Sequence, residues 1–205
     1  VDVVLRRAAE AATGFMPTEE GLALYAAATR VSAGGLICEV GTYCGKSTLY
    51  LAAAARTVGA TVITVDHHRG SEENQPGWEY HDADLVDPRS GRLDTLPFLR
   101  RTLEDAGVED VVTAVVGRSE RVGRWWSTPA DLLFLDGGHT EEQAQADYEA
   151  WACHVRPGGL LAIHDVFPDP ADGGQAPYHV LVRALTEGFR ELSCAGSLRV
   201  LRRVD

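Results

Sequence analysis

The sequence predicts an α/β domain, with a seven-stranded, mostly parallel sheet flanked by helices and closed by an antiparallel hairpin. Three observations carry this. Apolar runs of strand length alternate with helix-like runs, the mark of a parallel sheet with crossover helices. The 205 residues are 45% hydrophobic and 24% charged, the balance of a globular chain that folds as one domain over 1–205 without disulfide or metal staples. The last two strand-like runs are joined by a turn at Ala195-Gly196-Ser197, too short for a crossover, so they pair antiparallel.

In chain order, residues 1–32 read as a helical cap, with a helix over 17–31 that has Pro17 near its start. GLICEVG (35–41) is an apolar strand, KSTLYLAAAAR (46–56) a helix and TVITVD (61–66) the next strand. The polar stretch 67–92 is too long for a neutral connection in a compact domain, and loops of that length tend to be lids or binding loops. A helix near 94–106 is followed by strand VVTAVV (111–116), helix SERVGRWW (119–126) and strand DLLFLD (131–136). Thr140 with Gln143 forms a capping-box pattern before a helix to about Val155. Pro157-Gly158-Gly159 stops that helix ahead of strand LLAIHDV (160–166). A helix near 177–188 precedes the two strands of the hairpin.

Charge and cysteine usage narrow the function. Thirty acidic residues against 19 basic ones give a formal charge of −11, which repels nucleic acid and anionic lipid. No run approaches the roughly 18 apolar residues of a membrane span. The four cysteines stand far apart with no CxxC pair, and Cys38 and Cys194 lie in apolar runs where a cysteine packs as a small hydrophobe. The expectation is a soluble cytoplasmic protein acting on a small molecule, with no nucleic-acid or membrane partner. A homodimer is expected, because two-fold dimers are the commonest oligomers.

Glu39-Val40-Gly41-Thr42-Tyr43-Cys44-Gly45 follows an apolar strand and opens a helix, where glycines let the backbone turn sharply and approach a ligand. The spacing does not give the GxGxxG of a dinucleotide site. Gly45-Lys46-Ser47 supplies the end of a P-loop, but Gly41 is one residue too close and Glu39 would repel a triphosphate. A tight strand-to-helix turn without ligand is the plain structural alternative. The template of an acid, one residue, Gly, three residues, Gly matches in full, and in it the chain resembles the class I S-adenosylmethionine-dependent methyltransferases. The resemblance implies a Rossmann-like fold, with Glu39 near the methionine amino group or sulfonium. Gly41, Thr42, Tyr43, Cys44 and Gly45 would face the methionyl and ribose parts, joined by Ser47 and His67. Asp66, ending the second strand about 20 residues on, can accept both ribose hydroxyls. Gly117-Arg118-Ser119 would border the adenine, with N-capping of the next helix the competing role of Ser119.

Asp136 and His139 in LFLDGGHTEE lie at a strand end and before a helix, at the sheet edge where ligands bind. With Pro157-Gly158-Gly159 and then Ile163-His164-Asp165, this resembles the small-molecule O-methyltransferases, including sugar O-methyltransferases of antibiotic pathways and, more distantly, catechol O-methyltransferase. An acceptor hydroxyl has to lose a proton, and His139 is the best base because imidazole titrates near neutrality; satisfying the helix N-terminus is its plain alternative. Metal-dependent relatives imply a divalent ion on Asp136, His164 and Asp165, which makes Asp136 and Asp165 catalytic as well. The imidazole at 164 suits manganese, iron or zinc better than magnesium. Trp78, Tyr80 and His81 are expected to touch acceptor or cofactor from the lid, whose other acids and histidines include His68, Glu72, Glu73 and Asp82. Gly14-Phe15-Met16-Pro17 either closes the other side or staples the first helix. Two other functions compete: a nucleotide-binding module built on Gly45-Lys46-Ser47, and a metal-binding protein that keeps the fold without turnover.

Overall fold

The computed structural model describes residues 2–204. Seven strands form the main sheet: β1 (Leu36–Val40), β2 (Thr61–Asp66), β5 (Val112–Val116), β6 (Ala130–Leu135), β7 (Val155–Ile163), β8 (Phe189–Ala195) and β9 (Leu198–Arg203). Their spatial order is β5-β2-β1-β6-β7-β9-β8. Pairings from β5 to β7 are parallel, and those of β9 with β7 and β8 antiparallel, as the short final turn requires. After β1 the chain winds outward to β2 and β5, then returns to place β6 on the other side of β1. Ligands bind at such a reversal, outside the carboxyl ends of the strands. The ends are brought level by the ladder itself: Gly41 N donates to Val65 O (3.0 Å), Asp136 N to Val40 O (2.8 Å) and His164 N to Leu135 O (3.1 Å).

One face of the sheet is covered by α1 (Val3–Ala11), α2 (Thr18–Ala28), α3 (Lys46–Val58) and α4 (Leu96–Asp105), the other by α5 (Ser119–Trp125), α6 (Glu141–Trp151) and α7 (Ala176–Thr186). Ala52, Ala53, Ala54 and Ala55 of α3 are all buried, and their small side chains let α3 lie close between sheet and α2. Gly21 of α2 has no room for a Cβ, which would collide with the Tyr50 ring. Among the described residues no helix is long and apolar enough to cross a membrane.

Several elements depart from the sequence expectation. The first 32 residues hold two helices, with α2 ending at Ala28. Helix α6 stops at Trp151, and after a 3-10 turn at Ala152–His154 the chain is already in β7 at Val155. Pro157-Gly158-Gly159 therefore breaks a strand instead of preceding one: Ala130 pairs with Val155 and Leu132 with Leu160, so extra residues bulge outward there. Segment 67–92 contains 3-10 turns at Glu72–Asn74 and Ala83–Leu85, then a small hairpin of β3 (Val86–Asp87) and β4 (Arg92–Leu93). Cys194, expected to pack inside, is exposed on the outer strand β8, whereas Cys38 and Cys44 are buried.

Candidate active site

The loop after β1 needs its glycines. Gly41 has φ 90° and Gly45 φ 94°, and a Cβ on Gly41 would collide with the Asp136 carbonyl oxygen. The loops after β1 and β6 thus touch through backbone. Asp66 fixes the first of them: its Oδ2 accepts from Thr42 N (3.0 Å) and Tyr43 N (2.9 Å), and its Oδ1 from His68 N (2.7 Å). Tyr43, at φ 51°, is held in the left-handed region by this contact.

Glu39 lies beneath the loop instead of facing a ligand. It is fully buried, and its carboxylate accepts from Ser47 Oγ, Thr48 Oγ1 and Thr64 Oγ1, each at 2.6 Å. Burial pushes its pKa up to about 7 against the pull of those three hydroxyls. Ser47 is turned into this network, Thr42 bonds Thr64, and Cys44 packs with Leu85 and Leu93. What the loop presents upward is its backbone and Tyr43. Lys46 points elsewhere: Nζ reaches Ala12 O (3.2 Å) and Glu10 O (3.4 Å), carbonyls at the end of α1.

Ser119 does not cap its helix. It is the first residue of α5, with no side-chain cap bond, and its hydroxyl donates to Asp147. Asp147 is buried, also accepts from Gln143 Nε2 (3.0 Å), and is pushed by burial up to about 6. Arg118 occupies the N-cap position, and Gly117 N donates to Asp66 O (3.0 Å), which ties this corner to the end of β2.

At the ends of β6 and β7 stands a chain of alternating acids and imidazoles. His139 Nδ1 donates to Glu73 Oε2 (3.0 Å), while Nε2 lies 3.1 Å from Asp165 Oδ2, an ion-pair contact outside hydrogen-bond geometry that leaves that buried nitrogen without a hydrogen-bond partner. Burial opposes charge on this ring, yet Asp165 and Glu73 outweigh it and push His139 up to about 10. Asp165, at φ 54°, is turned back toward the ring. Burial would raise its carboxyl, but the two imidazoles hold it well below the usual range. The ligating atoms of Asp136, His139 and Asp165 all lie within 4.8 Å of one another, close enough to share one ion.

His164, which the sequence placed in the ligand set, is not free to join it. Only 3% of its side chain is exposed, and its Nδ1 meets Asp136 Oδ1 (3.1 Å) while Nε2 meets Glu20 Oε2 (2.5 Å). Burial works against its charge, but Asp136, Asp165 and Glu20 carry it up to about 12. The ring stands behind the two aspartates, and His139 occupies the third place in front of them.

Segment 67–92 reaches across this edge. Glu73 holds His139 at one end, and at the other Tyr80 meets Phe15 (5.3 Å between ring centroids), which in turn meets Tyr43 (5.4 Å). His81 braces the loop from within by donating to Asn74 O (2.9 Å). His67 is likewise local, its Nδ1 accepting from Arg69 N (3.0 Å), and Trp78 is half exposed. Sequence reasoning missed Glu20, Asp147 and the pairing of Glu73 with His139. Glu20 did leave a signal, since Glu20, Leu24, Ala27 and Ala28 form one helical stripe and so put an acid on a buried face.

Comparison with known proteins agrees with this architecture. A family described as a methyltransferase domain matches residues 38–166. Among solved structures, cofactor-bound Rv0187 from MTB is similar at TM-score 0.66 and 21% identity, covering 99% of this chain and 88% of that one. The O-methyltransferase TomG from Streptomyces achromogenes, involved in tomaymycin synthesis and solved with SAM, gives 0.65 and 19% over 100% and 91%. An O-methyltransferase from Bacillus cereus in complex with SAH gives 0.65 and 18% over 100% and 92%. The family match spans well over half of the sequence and contains the glycine loop, Asp66, Asp136, His139 and the His164-Asp165 pair, so the chain belongs to the methyltransferase-domain family.

Proposed function

We propose that the protein transfers the methyl group of S-adenosylmethionine to a hydroxyl of a small molecule, with Asp136, His139 and Asp165 as the reacting edge. The observation that carries this is their convergence beside the Gly41–Gly45 loop and Asp66, at the reversal of strand order. The donor set suits the cofactor: Asp66 and Asp136 lie against the loop with negative charge for a sulfonium, and the glycines let a ligand approach its backbone. S-adenosylmethionine supplies a methyl already activated for in-line displacement, so the protein's task is alignment and removal of the acceptor proton. Solved relatives that bind SAM or SAH support the reading.

The convergence of Asp136, His139 and Asp165, with ligating atoms within 4.8 Å of one another, also suits a divalent ion at the same place. Asp136, Asp165 and His139 Nε2 would hold it, and Glu73 on Nδ1 is the outer carboxylate that keeps a ligating imidazole in the required tautomer. Such an ion would acidify a hydroxyl near it. Without an ion, the acceptor proton would pass to His139 Nε2 in the neutral form of the ring, after that nitrogen has given its own proton to solvent. Segment 67–92 acts as the lid, and the rings of Phe15, Tyr43 and Tyr80 offer an apolar wall to the acceptor. The assembly proposed is a homodimer of single-domain chains, in the cytoplasm, with no nucleic-acid or membrane partner.

The test is calorimetric titration with S-adenosylhomocysteine, with and without chelator and with ATP as competitor, followed by methyl transfer to phenol and sugar hydroxyls. Micromolar binding of the homocysteine product without ATP heat is expected. Its absence would remove the proposed chemistry, and full activity after exhaustive chelation would remove the ion.

A further inference from the structure

The carboxylate of Glu20, on the N-terminal helix α2, is the meeting point of three remote segments. It is 7% exposed and accepts from His164 Nε2 (2.5 Å), Ser197 N (2.9 Å) and Ser197 Oγ (3.0 Å). The β8–β9 turn is shaped around it, for Gly196 sits at φ 53° and a Cβ there would collide with Glu20 Oε1. Burying a carboxylate is costly, and an apolar pair of similar volume is often as stable as a buried ion pair. Stability alone therefore does not account for an acid at this position.

The geometry beyond Glu20 does. His164 is buried and bonded at both ring nitrogens, with Phe134 beside it at 6.3 Å between centroids. Its two nitrogens are fixed relative to each other by the ring, so the bond to Glu20 at one end sets where Nδ1 points at the other. There it meets Asp136 Oδ1 at 3.1 Å and Asp165 Oδ2 at 3.4 Å, the two acids that flank the open Nε2 of His139. We propose that Glu20 is a positioning residue that acts through His164 to aim Asp136 and Asp165 at a divalent cation. The inference rests on the ion-binding part of the function proposed above. It assigns control of cation affinity to α2.

The experiment measures Mn2+ binding to the full-length chain by calorimetry, with S-adenosylhomocysteine binding and thermal melting recorded for every variant. In Glu20→Gln the single amide oxygen can serve the Ser197 N–H or the His164 N–H but not both. Mn2+ affinity is expected to fall about 10- to 100-fold, the effect of losing an outer-shell partner, while S-adenosylhomocysteine affinity stays within about twofold. Should that variant not fold, Glu20→Asp keeps the charge but shortens the reach to His164, and the same loss is expected. Ser197→Ala removes only the hydroxyl bond to Glu20 and should lower the melting temperature while leaving Mn2+ affinity near wild type. Wild-type Mn2+ affinity in Glu20→Gln or Glu20→Asp would overturn the proposal. So would a wild-type chain that binds no Mn2+, and if it still binds S-adenosylhomocysteine, methyl transfer stands without this device. Loss of homocysteine binding alone would overturn the cofactor and leave the Glu20 effect on Mn2+ intact.

Discussion

Two carboxylates, one fully buried and one partly exposed, sit at the same sheet edge and are treated in opposite ways. Glu39, under the glycine loop, is enclosed by three hydroxyl donors and its acidity is weakened to about 7. Asp165, at the end of β7, faces two imidazoles and its acidity is strengthened. The first arrangement is closed, since every donor around Glu39 is matched and nothing points outward. The second keeps an open position, the buried Nε2 of His139 with no hydrogen-bond partner. A closed network shapes a scaffold, whereas an open one invites a ligand or a proton.

The sharpest way to break this contrast is to remove the open position. His139→Ala is expected to lower kcat by about 10²- to 10⁴-fold, with S-adenosylhomocysteine affinity nearly unchanged in the same preparation. Comparable loss of homocysteine binding would make His139 part of the scaffold instead. Gly41→Ala should do the reverse, because its Cβ meets the Asp136 backbone and its φ is 90°. A stability loss of about 3 kcal/mol by denaturant titration is expected, together with weakened cofactor binding.

The closed network has a pH signature of similar size. Glu39 rises from its ordinary 4.5 to about 7 in the fold, so the protonated form favours the native state. Its contribution is full below about 4.5 and is lost as the pH rises through 7. One fully buried group with this shift is worth on the order of 3 kcal/mol. Denaturation curves of the wild type should therefore weaken from pH 4.5 to 7 relative to Glu39→Gln, in which the Glu39 part of the slope is absent. An identical pH slope in both would show that the three hydroxyls keep Glu39 ionised.

The order of these effects follows what the sequence made legible. Strand and helix positions were visible in the alternating apolar runs, and the Gly41–Gly45 loop, Asp66, Asp136, His139 and Asp165 were visible because each follows an apolar strand. What stayed hidden depends on distance along the chain: Glu73 meets His139 across 66 residues and Glu20 meets His164 across 144. No local spacing encodes such a pair. The hydroxyl enclosure of Glu39 stayed hidden for a related reason, since its partners Ser47, Thr48 and Thr64 belong to other elements and only folding directs their hydroxyls inward. Pro157-Gly158-Gly159 marked a break correctly, but the sequence does not tell a bulge within β7 from a boundary before it.

Smaller effects probe the lid and the abandoned nucleotide reading. Tyr80→Ala or Phe15→Ala removes one member of the ring contact between loop and N-terminal segment, worth about 0.5–1.5 kcal/mol beyond area. The acceptor KM is expected to rise about 2- to 10-fold with kcat little changed; an unchanged KM in both would detach the rings from acceptor binding. Lys46→Ala should alter least, about 1 kcal/mol or less in stability, because the ammonium only meets carbonyls at the end of α1. Any ATP binding that this variant abolished would revive the phosphate-loop reading.

The grip of the β8–β9 turn on Glu20 also has a consequence for how the protein is made. Glu20 and Ser197 are 177 residues apart. At about 5–20 residues per second of synthesis, the ribosome delivers the second on the order of ten to thirty seconds after the first. Through that interval the β8–β9 turn cannot close around the acid, although His164 is delivered 33 residues ahead of Ser197. The acids and imidazoles of the reacting edge are all translated before their last support exists, so a nascent chain holds the right residues without the right arrangement. The enclosure of Glu20 is thus completed only when the β8–β9 turn is in place.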